Sequence, residues 1–146
     1  MDSISERFSR FMEYGEEIDM QLCRLEELEA SVGNNGAGAF DRYGRAAGSH
    51  SDRTGRLAAA ITDLETKIRE MTAKEAAERN ALDSVLCTQK DGMYLLKASE
   101  RGVIRARCFD RLSWERTADI VKLSVRGAQI AQERAFKKLD AHFDEA

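Results

Sequence analysis

The chain has 146 residues, which is enough for one domain or for a small domain with an extension. It is 42% hydrophobic and 34% charged, contains no proline and carries a net charge of −3, a composition typical of a helical protein with a charged surface. No apolar run approaches the roughly 18 residues that cross a membrane, and no basic-then-apolar signal segment begins the chain, so we expect neither membrane insertion nor export. The three isolated cysteines fit a reducing, cytoplasmic setting, and each is expected to be a small buried residue.

Residues 1–32 predict an amphipathic N-terminal helix. Apolar residues recur in steps of four and three, a period of about 3.5 that is typical of a coiled-coil seam. The seam consists of Ile4, Phe8, Phe11, Gly15, Ile18, Leu22, Leu25, Leu28 and Val32. A partner helix is therefore expected, either on the same chain as a helical hairpin or on a second copy as a homodimer through the N-terminal helices.

The middle of the chain predicts a flexible linker and then a second helical region. Gly, Asn, Ser and Asp dominate residues 33–56, which favours a connector without regular structure. The steps of four and three resume in residues 57–87 of a helical region that is expected to span 57–98, so this region can pair with the N-terminal helix in the same chain or between subunits. Asp91-Gly92 predicts a turn near its end.

Residues 99–146 predict two helices joined by a tight turn. The first helix is expected from Trp114 to Val121. Ser124 occupies an N-cap position, because its hydroxyl can accept a bond from a free backbone N–H, and a longer helix follows to about Phe143. Leu123 is expected to face inward from the turn. A narrow apolar face of the second helix is formed by Ala128, Ala131, Ala135 and Leu139.

Upstream of this pair, a helix is expected to turn its apolar residues to the core and its arginines to solvent; these arginines are Arg101, Arg105 and Arg107. Positive charge collects in this part of the chain. Residues 97–139 hold 11 Lys and Arg against 5 Asp and Glu, whereas residues 1–32 hold 3 against 9. A local excess of basic residues is the electrostatic footprint expected of a phosphate-binding surface.

The segment RARCFDRLSWERTADIVKLSVRGAQIAQERAFKKL, residues 105–139, resembles region 4 of sigma-70-type factors, and in particular the short sigma-like regulators of phages and prophages. The matching elements are Arg107-Cys108-Phe109, Ser113-Trp114-Glu115, Thr117-Ala118, Leu123-Ser124 and Ala135-Phe136-Lys137-Lys138-Leu139. Lys122 stands where the family usually has glycine, so a positive φ is expected there. The resemblance covers about the last third of the chain.

The resemblance and the helix pattern together imply an all-α fold, with long N-terminal helices (a coiled-coil-like hairpin or dimerisation helices) followed by a C-terminal helix–turn–helix bundle. The resemblance implies a sequence-specific transcriptional regulator that binds double-stranded DNA in the cytoplasm of a bacterial host cell and acts with RNA polymerase. The second helix would enter the major groove. The expected DNA-binding residues are Arg111, Arg116, Lys122, Val125, Arg126, Gln129, Ile130, Glu133 and Lys137.

Two other functions fit the same residues. A DNA-packaging or assembly protein, such as a small terminase subunit, also combines a helix–turn–helix with oligomerising helices. Alternatively, the apolar residues Val125 and Ile130 on the second helix indicate a helix–turn–helix that binds protein instead of DNA. No nucleophile stands beside a base, and neither histidine has a metal-ligand partner at helical spacing, so we expect no enzyme activity, cofactor or metal.

Overall fold

The computed structural model of the protein describes residues 2–42 and 47–144, with side chains described for 2–33 and 53–144. The fold is all-α, as predicted. Among the described helices, none has the length and apolar character that a membrane span requires. The elements are α1 (Ile4–Arg42), α2 (Ala47–Leu86), β1 (Gln89–Lys90), β2 (Met93–Tyr94), α3 (Ala98–Ile104) with a π-helical continuation (Arg105–Phe109), α4 (Trp114–Val121) and α5 (Val125–Asp144).

The linker prediction for residues 33–56 is wrong where the structure describes them. Helix α1 continues to Arg42, and α2 already begins at Ala47; residues 43–46 lie outside the described residues. A glycine inside a helix costs only about 1 kcal/mol relative to alanine, whereas a proline costs about 3 kcal/mol and removes a hydrogen bond. Because the chain has no proline, the glycines and polar residues at 33–42 and 47–56 weaken the helices without ending them there.

The chain divides into two compact units. Unit 1 comprises residues 1–14 together with 75–146, and unit 2 comprises residues 15–74. This division differs from the predicted one, which separated residues 1–32 from the C-terminal domain. The first turns of α1 belong to the same unit as the last helix, although more than a hundred residues separate them in the sequence.

Aromatic side chains explain why the start of α1 belongs to unit 1. The Phe8 ring centroid lies 6.0 Å from that of Phe109 and 5.6 Å from that of Phe136, and the Phe11 ring meets Phe109 edge to face at 5.6 Å. Such pairs stabilise beyond the area that they bury, by about 0.5–1.5 kcal/mol each. The main core of the unit is completed by Ile4, Leu82, Val85, Leu86, Leu96, Ile104, Cys108, Ala135 and Leu139.

The first turn of α1 is capped twice. Ser3 and Glu6 form a capping box, because the Glu6 N–H donates to Ser3 Oγ at 3.2 Å and the Ser3 N–H donates to Glu6 Oε2 at 3.2 Å. Asp140 of α5 adds a second cap, since its Oδ1 accepts from the backbone N–H groups of Ile4 at 2.7 Å and Ser5 at 3.3 Å. A carboxylate at a helix N-terminus also interacts favourably with the helix dipole.

Unit 2 consists of the rest of α1 and the first part of α2. Among its described residues, the buried apolar side chains continue the predicted seams, and they are Ile18, Leu64, Ile68 and Met71. Farther along α1 the burial falls, and Leu22 is 41% exposed while Leu25 and Leu28 are half-buried. The predicted seam is therefore fully buried over only part of its length.

Candidate nucleic-acid interface

Two serines and one left-handed residue fix the junction of α4 and α5. Ser113 Oγ accepts from the Arg116 N–H at 3.2 Å, and Ser124 Oγ accepts from the Gly127 N–H at 2.9 Å, so each helix begins with a side-chain cap. Between the helices, Lys122 adopts φ 59° and ψ 43°, the left-handed conformation expected for it. The predicted bounds of the first helix and the predicted cap of the second are confirmed.

Small residues allow α3, α4 and α5 to approach closely. The narrow face predicted for α5 is the one that is buried, from Ala128 to Leu139. A Cβ added to Gly102 of α3 would lie 3.0 Å from Val121 Cγ1 of α4, so glycine gives these two helices their close contact. The second core cluster of unit 1 is formed by Val103, Ala118, Ala128 and Ala131, with Trp114, Val121 and Val125 packed against it.

Four of the predicted DNA-binding residues share the opposite face of α5. A helix turns about 100° per residue, so positions separated by four, three and four residues lie in one row. Arg126, Glu133 and Lys137 are exposed and Ile130 is half-buried. We call Arg126, Ile130, Glu133 and Lys137 the outer row. At a rise of about 1.5 Å per residue, the outer row is about 16 Å long, and a single helix face of this kind fits the major groove of B-DNA.

The other five predicted residues lie outside the outer row. Arg116 and Lys122 are exposed at α4 and the turn, and Arg111 is exposed before α4 with φ 52°. Gln129 is half-buried beside the outer row. Val125 packs against the second core cluster, so its side chain contributes to stability at the start of α5.

The cations around the outer row keep their charge available. Among the described residues, no ion pair joins a carboxylate to Arg116, Arg126 or Lys137. Between residues 114 and 137, the exposed cations are Arg116, Lys122, Arg126, Arg134 and Lys137, and the exposed acids are Glu115, Asp119 and Glu133. This surface is net positive, although the whole chain is net negative.

The expectation that Leu123 faces inward is wrong. Leu123 is 39% exposed, and Ile120 in the last turn of α4 is 57% exposed. The left-handed Lys122 ends α4 just before Leu123, and the Leu123 backbone N–H closes the helix end by donating to the Ala118 carbonyl at 3.0 Å. The turn thus positions Leu123 through its backbone, and its side chain remains partly in solvent.

The arginines of α3 and the π-helical turn were expected to face solvent, but each is half-buried and bonded. Arg101 Nη1 donates to the Leu96 carbonyl at 2.6 Å, and Arg107 Nη1 donates to the Leu112 carbonyl at 2.7 Å. Arg105 donates to Asp83 at 3.0 Å. Burial opposes the charge of Arg105, but the hydrogen bond and charge of Asp83 outweigh this and raise the pKa of the guanidinium. Helical spacing predicts which face of a helix a side chain lies on, but it does not indicate the carbonyl acceptors in the adjoining loops that bind Arg101 and Arg107.

The cysteine prediction is confirmed only in part. Cys108 is buried, and burial raises the pKa of its thiol to about 11. Cys87 is half-buried and Cys23 is exposed, so both depart from the expectation of full burial. Cys23 stands off the apolar seam of α1, which is why the helix turns it to solvent. In the part of the chain that the structure describes, no three Cys, His, Asp or Glu side chains come together as a metal-ligand group.

A β-hairpin before α3 was missed in the sequence, although its turn at Asp91-Gly92 was predicted. Two strands of two residues are too short for an alternating pattern, so only the turn leaves a signal.

Comparison with known proteins adds no assignment: no protein-family model, curated protein or solved structure matches the chain.

Proposed function

We propose that this protein binds double-stranded DNA with the outer row of α5 in the major groove, as a transcriptional regulator similar to region 4 of sigma factors and of phage or prophage type. The observation that carries the proposal is the outer row itself. A face of α5 with two free cations lies opposite an alanine face that packs on α3 and α4. This arrangement exposes one side of a helix whose other side is fixed to the domain.

Three members of the outer row offer different contacts to a base pair. Arg126 can donate two hydrogen bonds to guanine O6 and N7, and Glu133 can accept from cytosine N4. Ile130 supplies an apolar surface for a thymine methyl group, and Gln129 beside the row can bond adenine N6 and N7. Sequence discrimination is therefore assigned to α5.

A second set of residues positions the domain without reading sequence. Arg116, Lys122 and Lys137 lie at α4, the turn and the far end of the outer row, where they can meet phosphates on the two sides of a groove; Arg111 lies just before α4. Phosphate contacts supply affinity that falls with salt. A module of this size makes few contacts, so we propose that it acts with RNA polymerase or as a homodimer, either of which raises its effective concentration at a site.

A protein-binding function is the second candidate, and a specific observation favours it. Ile120 in the last turn of α4 and Leu123 just after it are both exposed, and we call these two residues the apolar patch. Exposed apolar patches on a polar surface are typical of protein–protein contacts. For a regulator that acts with polymerase, the same patch would meet the polymerase while α5 meets DNA.

The test is selection from a randomised duplex pool at low and moderate salt, followed by affinity measurements on the enriched sequence. Arg126→Ala is expected to weaken binding by about 1–3 kcal/mol and to relax the preference at one base pair. Lys137→Ala is expected to weaken all duplexes alike and to flatten the salt dependence by about one unit of slope. Lys67→Ala on α2 of unit 2 is the matched control, because Lys67 is also an exposed helical lysine.

Enrichment of a motif that survives the higher salt, with the two variants behaving differently, supports sequence reading by α5. Equal and negligible effects of Arg126→Ala and Lys137→Ala would remove DNA from the proposal. In that case the apolar patch at Ile120 and Leu123 becomes the leading site, and Ile120→Asp becomes the variant with which to test binding of RNA polymerase.

A further inference from the structure

The β-hairpin before α3 carries exposed side chains that the fold does not require. Asp91 (φ 56°) and Gly92 (φ 81°) form a turn with two left-handed residues, which is the tightest connection that matches the twist of two antiparallel strands. Lys90 pairs with Met93 across the strands, so their side chains share one face of the hairpin. Met93 is 74% exposed, the highest value of any large apolar side chain among the described residues.

Hydrogen bonds and a ring contact fix the base of the hairpin, while the face that carries Lys90 and Met93 remains exposed to solvent. The Leu95 N–H donates to the Thr88 carbonyl at 2.9 Å, which closes the ladder below the strands. On the other face, the Arg101 guanidinium carbon lies 4.2 Å from the Tyr94 ring centroid, and the same arginine donates to the Leu96 carbonyl. The hairpin is therefore tied to α3 through Tyr94, and the face with Lys90 and Met93 makes none of these contacts.

The buried carboxylate of Glu100 links Lys97, three residues after the hairpin, to α5. Glu100 Oε1 accepts from the Lys97 backbone N–H and from Lys138 Nζ, at 2.8 Å each. Lys138 follows Lys137 of the outer row directly, and the exposed Arg134 lies one turn before it on the same side of α5. The ion pair of Lys138 with Glu100 thus ties α5 to the base of the hairpin, one residue after Lys137 of the outer row.

The residues from Gln89 to Arg101 carry a net positive charge, which fits binding to a polyanion. From Gln89 to Arg101 the cations are Lys90, Lys97 and Arg101, and the acids are Asp91 and Glu100. Glu100 is buried against Lys138, so among the described residues of this segment only Asp91 presents an acidic group to solvent. A lysine beside a flexible apolar side chain can bind a phosphate and cover the sugar next to it.

We propose that the hairpin is a second contact to duplex DNA, in which Lys90 binds a backbone phosphate and Met93 packs against the adjoining sugars, beside the groove that α5 enters. This inference rests on the proposed function and extends it, because it predicts a longer DNA site than α5 alone covers. It also assigns the exposed apolar tip to DNA and not to a protein partner.

The experiment uses the full chain and the duplex enriched in the selection described above. Affinity is measured over a series of salt concentrations for Lys90→Ala, for Met93→Ala and for the control Lys67→Ala, and hydroxyl-radical footprints are recorded for each. Lys90→Ala is expected to flatten the slope of log K against log salt by about 0.9, the value for one lost phosphate contact. Met93→Ala is expected to weaken binding without changing that slope, and both variants are expected to shorten the footprint on one side.

The outcomes separate the two proposals. If the unmodified chain binds and Lys90→Ala and Met93→Ala match the Lys67→Ala control in affinity, slope and footprint, the hairpin proposal is overturned and DNA binding by α5 stands. If the unmodified chain binds no duplex at either salt, the proposed function fails and the hairpin proposal fails with it. Because Lys90 and Met93 are exposed, neither substitution is expected to disturb folding, and circular dichroism of each variant checks this.

Discussion

Units 1 and 2 carry the same apolar repeat but bury it differently. In unit 1 the repeat residues Phe8 and Leu82 are fully buried, because α1 and α2 meet α3 and α5 there in one core. In unit 2 the same repeat leaves Leu22 exposed and Leu25 half-buried. A period of 3.5 residues thus predicts that a helix has a partner, but the number of elements around it decides how far its seam is removed from water.

The largest test of this comparison is one substitution made in each unit. Leu82→Ala is expected to lower the free energy of unfolding by about 2–5 kcal/mol, because a fully buried leucine leaves both lost apolar area and a cavity. Leu22→Ala, in a side chain 41% exposed, is expected to cost less than about 1 kcal/mol. Urea unfolding followed by circular dichroism measures both. Equal costs would show that the seam of unit 2 is buried as deeply in solution, as it would be in a homodimer.

A smaller effect separates two neighbouring lysines of α5. Lys138 pairs with the buried Glu100, whereas Lys137 lies in the outer row. Lys138→Ala is expected to lower the free energy of unfolding by about 1.5–3 kcal/mol, since it removes a charged hydrogen bond from a buried carboxylate. Lys137→Ala is expected to leave stability within about 0.5 kcal/mol while it weakens DNA binding. Similar losses of stability in both variants would contradict the division between the anchored and outer faces of α5.

The smallest expected effect concerns the cap that α5 provides for α1. Asp140→Ala removes the acceptor of two backbone N–H groups and is expected to cost about 0.5–2 kcal/mol. Asp144→Ala, which removes an exposed carboxylate near the end of the same helix, is the control and is expected to change little. Thermal unfolding of both variants checks the difference, and an unchanged melting temperature for Asp140→Ala would mean that the capping box of Ser3 and Glu6 is sufficient.

Local signals allowed much of unit 1 to be predicted from the sequence. The cap at Ser124 and the buried row from Ala128 to Leu139 each follow from a few adjacent residues, whereas the positive φ at Lys122 follows from the glycine that the resembled family usually has there. The helical state of residues 33–42 and 47–56 could not be predicted, because the local preferences of glycine and asparagine disfavour a helix and indicate a connector instead.

Contacts between distant residues were also beyond the sequence. Nothing near Phe8 indicates that its partners are Phe109 and Phe136, and nothing near Glu100 indicates Lys138. The same limit explains the hairpin, where only the turn at Asp91-Gly92 has a local signature. Whether the outer row binds DNA depends on a partner molecule, so that part of the interface stays a prediction.

The position of Asp140 has a consequence for synthesis of the chain on the ribosome. Ile4 and Ser5 leave the exit tunnel before Asp140, since the carboxylate that accepts from their N–H groups is made more than 130 residues later. In the same way, Phe109, the ring partner of Phe8 and Phe11, is made later than both, and so is Phe136, the second partner of Phe8. Until Phe109 and Phe136 emerge, Phe8 and Phe11 lack these ring contacts, and exposed apolar side chains of this kind are what a nascent-chain chaperone binds.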